Sequence, residues 1–163
     1  MKFTVAILVN NQFGVLNRVT SMFRRRQFNI SSLTVSETES EAFSRITVQS
    51  EGDTVKKEQL INQLKKLHNV KAVKLLEAGA AVERELMIIK VRNEPATRSE
   101  VMAAAEVYRA KIIDYKTDYM CIEVTGDPGK IIAFTDVMRP LGIIEMCRTG
   151  VIALERGGNI MDK

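Results

Sequence analysis

The residues best suited to ligand chemistry lie in one short segment, Asn10 to Leu16, which joins an apolar stretch to a helical pattern. The first turn of a helix has backbone N–H groups without intrahelical partners and a partial positive charge, so it favours an anion such as a carboxylate. Asn11 is placed to cap the helix or to contact a ligand. Gly14 has no Cβ to keep a ligand from its own N–H group or from those of Val15 and Leu16. The segment predicts a carboxylate site, and a capped helix with a close-packed glycine is the alternative that these residues leave open.

Catalytic groups do not converge in this sequence. His68 is the only histidine, and the neighbouring Lys65, Lys66 and Lys71 favour a solvated helix end. No paired acid, nucleophile–base arrangement or HExxH pattern accompanies it. We therefore expect a protein without an active site of its own.

Metal and phosphate sites also lack their usual spacing. Cys121 and Cys147 lie far apart, each next to an apolar residue, and we interpret them as core residues of a protein in a reducing compartment. Gly126 to Lys130 (GDPGK) is interpreted as a turn followed by a capped helix, with phosphate binding as the weaker alternative. We expect no metal ion and no cofactor on this chain.

The N-terminal residues and the length of the apolar runs indicate a cytoplasmic protein. The opening MKFTVAILVNNQ lacks the length and cleavage pattern of a signal peptide. No run approaches the roughly 20 apolar residues that span a bilayer. We expect no membrane partner.

The net charge of +4 is concentrated in the first half of the chain. Up to Ala78 there are twelve Lys or Arg and seven Asp or Glu, whereas the remainder has twelve and thirteen. The cluster Arg24 to Arg26 fits a solvated helix face or, alternatively, a docking surface for an acidic partner. Nucleic acid is the third possibility, and no aromatic platform or helix-turn-helix pattern supports it.

The first half of the chain follows a β-α-β-β-α-β pattern. Phe3 to Val9 is apolar and β-branched, as in a buried strand, and the apolar residues from Val15 to Phe23 recur at helical spacing. Asp53 or Thr54 can cap the second helix. The other predicted elements are strands at Ile30–Val35 and Phe43–Val48, a helical stripe from Leu60 to Leu67 and a strand at Val70–Leu76.

The second half repeats this order at an offset of roughly 80 residues. Thr97 and Glu100 form a capping-box pattern before a helix that continues to Tyr108, and Asp127 caps a helix with Pro128 in its first turn. The predicted strands are Leu86–Val91, Ile112–Tyr115, Met120–Val124, Ile143–Met146 and Val151–Leu154.

The small residues around Gly79 mark the junction between two domains, residues 1–77 and 78–163. The fold class is α+β, with two tandem ferredoxin-like (βαββαβ) domains. Antiparallel sheets with helices on one face leave the other face and the edge strands for pairing between subunits. Because domains of this size bury only about 60% of their unfolded surface, we expect an oligomer.

The segment NNQFGVLNRVTSMFRRRQFNISSLTVSETE, residues 10–39, resembles the N-terminal ACT domain of acetolactate synthase small subunits. The most specific part is an asparagine, two residues and Gly-Val-Leu, followed by Arg-Val and later by Phe-Asn-Ile. The likeness continues through SRITVQSEGD, VERELMIIKV and RTGVIALERG. It covers nearly the whole chain.

This resemblance implies a regulatory subunit that is not itself an enzyme. Its partner would be the catalytic (large) subunit of a thiamine-diphosphate enzyme that condenses pyruvate with another 2-oxo acid in branched-chain amino-acid synthesis. Thiamine diphosphate, magnesium and FAD are expected on that partner. The small subunit would activate the enzyme and confer feedback inhibition by a branched-chain amino acid, most often valine.

The resemblance also implies a homodimer of ACT domains with the effector at the interface. Phe13 stands where the family often has proline, a departure that bears on the effector's identity and affinity. Carried over by position, the effector-binding residues are Asn11, Gly14, Val15 and Leu16 of one subunit and Asn29 and Ile30 of the other.

A transcriptional regulator that senses amino acids through an ACT domain is the alternative function. ACT-like domains and basic charge also occur in such proteins, but the sequence has no recognisable DNA-reading element. A free-standing enzyme is the third hypothesis, and the absence of a catalytic constellation disfavours it.

Overall fold

A computed structural model describes residues 2–77 and 79–161 of the chain. The described residues of Met1–Val82 and Val151–Lys163 form one compact unit, the N-terminal unit, and Glu83–Gly150 form the second unit. The predicted second domain begins at Ala78, which lies outside the described residues. Segment 151–161, expected in that domain, belongs to the N-terminal unit. No helix in the described ranges is long and apolar enough to cross a membrane.

The N-terminal unit is a four-stranded antiparallel sheet with two helices, as the sequence pattern predicts. Its strand order is β2-β3-β1-β4, which makes β2 an edge strand. This order is that of a ferredoxin-like domain, and the predicted fold is confirmed. The elements are β1 (Lys2–Asn10), α1 (Val15–Arg25), β2 (Ile30–Glu37), β3 (Phe43–Glu51), α2 (Thr54–Leu64) and β4 (Val70–Leu76).

The core of this unit lies between the sheet and the two helices. Alternate residues of β1, from Phe3 to Val9, face the helices and pack against buried Val19 and Phe23 of α1. Phe28 follows α1 and meets the ring of Phe3 edge-on, with 5.6 Å between ring centroids. The packing fixes α1 over the sheet, and so fixes the turn between β1 and α1.

The second unit repeats the topology, with strand order β6-β7-β5-β8. Its core contains Met87, Ile89 and Val91 of the central strand, packed against Phe134 and other residues of the helices. The elements are β5 (Ala81–Arg92), α3 (Arg98–Val107), β6 (Lys111–Tyr115), β7 (Tyr119–Gly126), α4 (Pro128–Met138), a short 3-10 turn (Arg139–Leu141) and β8 (Ile143–Arg148).

Two of the predicted helix caps are confirmed and one is wrong. Asp53 accepts the Lys56 N–H at 2.7 Å, and Asp127 accepts the Lys130 N–H at 2.9 Å. Thr97 precedes α3 but has a nearly helical backbone, φ −113° and ψ −9°, and makes no side-chain cap. A capping side chain needs an extended backbone to reach back to the helix amides, so the capping box does not form.

The interpretation of both cysteines as core residues is also wrong. Cys121 is half-buried and Cys147 is exposed. Cys121 lies opposite Lys90, and Cys147 lies opposite Ile88. These β5 positions alternate with Met87 and Ile89, which face the core. Both thiols therefore lie on the face of the sheet that the helices leave uncovered.

The C-terminal strand β9 (Ile152–Glu155) belongs to the N-terminal unit. The preceding Val151 donates its N–H to Ser32 Oγ at 3.0 Å, and Arg45 Nη2 donates to the Ala153 carbonyl at 2.8 Å. Burial lowers the pKa of the Arg45 guanidinium. These bonds attach the segment to β2 and β3.

Apolar contacts and an ion pair attach the same segment to β1 and β4. Ala153 is buried with Ala6 and Leu76, and Glu155 pairs with Lys74. The contacted side chains alternate with the core positions, so they project from the side of the sheet opposite the helices. The expectation that this face stays free for subunit pairing is therefore wrong for the N-terminal unit.

Candidate functional site

The turn between β1 and α1 is shaped by a glycine in the left-handed region. Gly14 has φ +80° and ψ −5° and directly precedes the first residue of α1. Glycine adopts this conformation without strain. A Cβ built on Gly14 would meet no atom within 4 Å, so the alternative of a close-packed glycine is wrong. The space beside the helix start is open.

Most of the N–H groups at this helix start are unpaired. Val15 donates its N–H to the Gln12 carbonyl at 3.3 Å. Those of Gly14, Leu16 and Asn17 have no acceptor within the described part of the chain. No side chain there caps α1, and the first turn holds no acid. Of the three predicted amides, those of Gly14 and Leu16 are thus open and that of Val15 is engaged, while Asn17 adds one that sequence reasoning missed.

Asn11 does not cap the helix but is fixed beside it. Its N–H donates to the Ala42 carbonyl at 2.8 Å, and its Nδ2 donates to the Glu41 carbonyl at 3.0 Å and to Glu37 Oε1 at 2.9 Å. Because both neighbours of the side chain are acceptors, the amide must present its NH₂ group to them. Asn11 Oδ1 has no donor among the residues described, so it can accept from a ligand.

Glu37 belongs to this cluster and was missed by sequence reasoning. It is the last residue of β2, and its pairing with Ser44 places it at the end of the sheet where Asn10 pairs with Phe43. Its carboxylate is the one anionic group that hydrogen-bonds Asn11 in the described structure. The acidic stretch Ser36 to Glu41 was the available signal, but only the strand register places it beside the β1–α1 turn.

Asn29 and Ile30 lie at the opposite end of the sheet. Ile30 pairs with Ser50, which pairs with Phe3 at the start of β1. The seven residues from Phe3 to the turn extend about 23 Å along the strand. Asn29 is exposed, and its carbonyl accepts from Ser50 Oγ at 2.6 Å. A single chain therefore does not bring the predicted site residues together. Asn29 and Ile30 lie at the start of β2, and the residues of the β1–α1 turn lie at the end of the sheet where β2 ends.

Exposed apolar side chains adjoin the open amides. Phe13 is fully exposed and Leu16 is 40% exposed, whereas Val15 is buried in the core. Leu16 can pack against the aliphatic side chain of a small ligand. Phe13 adds an exposed aromatic surface at the helix start.

The cluster Arg24 to Arg26 lies at the other end of α1 and is exposed. Cations are favourable there because the helix C terminus carries a partial negative charge. Arg26 Nη1 lies 3.5 Å from Gln59 Oε1. The cluster is separate from the candidate site, and its role as a docking surface stays a prediction.

His68 and the metal-ligating residue types add no second candidate site in the described ranges. His68 is exposed, as the sequence indicates. Residues 2–77 and 79–161 contain no group of three or more His, Cys, Asp or Glu that could hold a metal ion.

Fold and site together define a class: a tandem pair of ferredoxin-like domains whose first strand–helix turn has open N–H groups. A family model described as an AHAS small subunit-like ACT domain matches residues 5–72, and one described as the small subunit of acetolactate synthase matches residues 84–157. The chain belongs to the family of acetolactate synthase small subunits. This membership supports a regulatory-subunit role.

Individual relatives match over nearly their full lengths. A probable acetolactate synthase small subunit from Archaeoglobus fulgidus is 48% identical, over 96% of this chain and 98% of its own. The isozyme 3 small subunit of Escherichia coli is 39% identical over 99% of each chain. The crystal structure of the acetolactate synthase small subunit from Thermotoga maritima superposes with a TM-score of 0.87 at 36% identity, covering 98% of this chain and 99% of that one.

Proposed function

We propose that this chain binds a branched-chain amino acid, valine first, and transmits feedback inhibition to the catalytic subunit of acetolactate synthase, which it also activates. The observation that carries the proposal is the open start of α1. Its unpaired N–H groups lie beside an asparagine whose side-chain oxygen is free. An amino acid offers a carboxylate and an ammonium group to these two partners.

Each part of the effector has a complementary partner. The N–H groups of Gly14 and Leu16 donate to the carboxylate, which the helix dipole also stabilises. Asn11 Oδ1 accepts from the ammonium group. The dipole contributes only about 0.3–1 kcal/mol, so burial of the branched side chain has to supply much of the affinity.

A second copy of the chain completes the site. The outer edge of β2 is available in the N-terminal unit, since β3 is its only partner in the described sheet. A two-fold axis that pairs two β2 strands antiparallel brings the first residues of one beside the last residues of the other. The partner subunit's Asn29 and the partner subunit's Ile30 would then lie near Glu37, at the end of the sheet where α1 begins.

The effector would act by favouring one arrangement of the two subunits. A ligand held by two chains binds more tightly in the arrangement that closes its site, and the catalytic subunit responds to that bias. Thiamine diphosphate, magnesium and FAD belong, in this proposal, to the catalytic subunit. The complex is proposed to work in the cytoplasm.

Two substitutions of Gly14, by aspartate and by asparagine, test the site, because the two new side chains have nearly the same shape and differ in charge. Asp and Asn both tolerate the left-handed backbone better than most residues, and the open space accepts either side chain. Gly14→Asp places a carboxylate beside that of the effector, whereas Gly14→Asn adds the same bulk without charge. We expect holoenzyme containing Gly14→Asp to escape valine at concentrations that inhibit both Gly14→Asn and the unsubstituted protein.

The measurement is acetolactate formation against the concentrations of valine, leucine and isoleucine, with calorimetric titration of the free small subunit. Activation of the catalytic subunit, assayed without effector, reports whether the variant still assembles. If Gly14→Asp were inhibited as strongly as Gly14→Asn by all three amino acids, the proposed site would be wrong.

A further inference from the structure

We infer that Glu37 makes this site selective for α-amino acids over the 2-oxo acids that share their carboxylate and side chain. The inference rests on the proposed effector site. An amino acid and its 2-oxo acid differ only at the α-carbon, which bears an ammonium group and a hydrogen in the first and a carbonyl oxygen in the second. Backbone N–H groups at a helix start stabilise either carboxylate, so selectivity requires a group that senses the cation.

The position of Glu37 gives it that role. Its Oε1 accepts from Asn11 Nδ2 at 2.9 Å, and its Oε2 has no partner in the described parts of the chain. An ammonium hydrogen-bonded to Asn11 Oδ1 would lie on the order of 5 Å from this carboxylate, within the range where opposite charges attract appreciably. A carbonyl oxygen in the same place would face the free lone pairs of Asn11 Oδ1 and the negative charge of Glu37.

The second unit contains an asparagine in the same structural position, and there the side-chain oxygen binds a cation. Asn93 is the first residue after β5, as Asn11 is after β1. Its N–H donates to the Asp118 carbonyl and its Nδ2 to the Lys116 carbonyl, which repeats the contacts of Asn11 with the hairpin turn beside it. Its Oδ1 accepts from Arg98 Nε at 2.6 Å. The fold thus presents this asparagine oxygen to a positive charge.

The residue that corresponds to Glu37 differs between the units. Glu37 ends β2 and pairs with the second residue of β3, whereas Tyr115 ends β6 and pairs with the second residue of β7. In the second unit, where Asn93 accepts from Arg98, this position is not a carboxylate. In the N-terminal unit, where the Asn11 side-chain oxygen is open, the position is Glu37. A carboxylate is expected there if the cation that Asn11 binds comes from a ligand.

Calorimetric titration of the full-length chain tests the inference. The ligands are valine, leucine, isoleucine and their 2-oxo acids, for example 3-methyl-2-oxobutanoate for valine. Glu37→Gln keeps an oxygen that accepts from Asn11 Nδ2 and removes only the charge. Glu58→Gln removes the same charge from an exposed position on α2, so it controls for net charge.

We expect the unsubstituted chain and Glu58→Gln to bind the amino acid at least tenfold more tightly than its 2-oxo acid. In Glu37→Gln, the affinity for the amino acid should fall about tenfold while that for the 2-oxo acid stays equal or rises. The preference for the amino acid over the 2-oxo acid should therefore be largely lost. A purely structural role would weaken both ligands alike, and that result would overturn the inference, as would an unchanged ratio. If the unsubstituted chain bound none of the amino acids, the proposed function itself would fail.

Discussion

The strand–helix turns of the two units have the same topology but differ in the charges and hydrogen bonds around the helix start. In the N-terminal unit, Gly14 and Leu16 keep open N–H groups beside a helix start without an acid. In the second unit, the Glu94 carbonyl accepts the N–H groups of both Thr97 and Arg98, and Glu100 places a negative charge in the first turn of α3.

This difference shows that the fold alone does not create an anion site. A ferredoxin-like unit places a helix start at the end of its first strand. In the second unit, however, the Glu94 carbonyl accepts the Thr97 N–H, the counterpart of the open Gly14 N–H, and Glu100 adds a charge that repels an anion. Arg98 also donates to the side-chain oxygen of Asn93, so the group equivalent to the proposed ammonium acceptor is engaged within the chain. The same architecture therefore leaves the asparagine oxygen and the N–H group before the helix open in one unit and engages both within the chain in the other.

The largest difference between the two units is expected when the equivalent asparagines, Asn93 and Asn11, are each replaced by alanine. Asn93 is 2% exposed, and Asn93→Ala leaves Arg98 and the Lys116 carbonyl without their partner. We expect the free energy of unfolding to fall by about 2 kcal/mol with effector affinity unchanged. Asn11→Ala, at an exposed position, should change stability by less than about 1 kcal/mol and weaken effector binding about tenfold.

Urea unfolding and calorimetry on both variants measure these effects. The variants serve as controls for each other, since each removes the same side chain from an equivalent turn. Loss of effector affinity in Asn93→Ala, or full affinity in Asn11→Ala, would contradict the assignment of the two turns.

A smaller effect on stability and effector affinity is expected when the start of α1 is given the acidic residue that α3 has. Asn17 and Glu100 are the third residues of α1 and α3. Asn17→Glu should stabilise α1 by about 0.3–1 kcal/mol through the helix dipole, and it should weaken effector binding about two- to fivefold because the new charge repels the carboxylate. Thermal unfolding and calorimetry give the two numbers.

The reverse substitution is the matched control. Glu100→Asn should lower stability by a similar small amount and leave effector affinity unaltered. Tighter effector binding in Asn17→Glu would show that the carboxylate does not lie at this helix start.

Most of the fold was predictable because its signals are local. Alternating and helical periodicities located each element to within a few residues, and Val70–Leu76 agrees at both ends. That β9 belongs to the N-terminal unit was not predictable, because this depends on contacts of Ala153 with Ala6 and Leu76, which are distant in the sequence. The prediction for Thr97 failed for a different reason. The local sequence has a capping pattern, but the backbone conformation of the turn keeps the Thr97 side chain from capping α3.

The candidate site was predictable only where the chain is continuous. Asn11, Gly14 and Leu16 belong to one strand–helix turn, and the sequence pattern marks that turn. The engagement of the Val15 N–H depends on how tightly the turn closes. Glu37 reaches Asn11 only through the register of β1, β3 and β2, which no local pattern specifies.

The central claim, that one effector site is built from two copies of the chain, is tested most directly by mixing two defective variants. Gly14→Asp damages one half of the site and Asn29→Ala the other, so neither homodimer should bind valine. Co-expressed, they form mixed dimers in which one site has both halves intact, and with random pairing about a quarter of the sites should recover full affinity. Calorimetry that finds no recovered sites in verified mixed dimers would contradict a site shared between subunits.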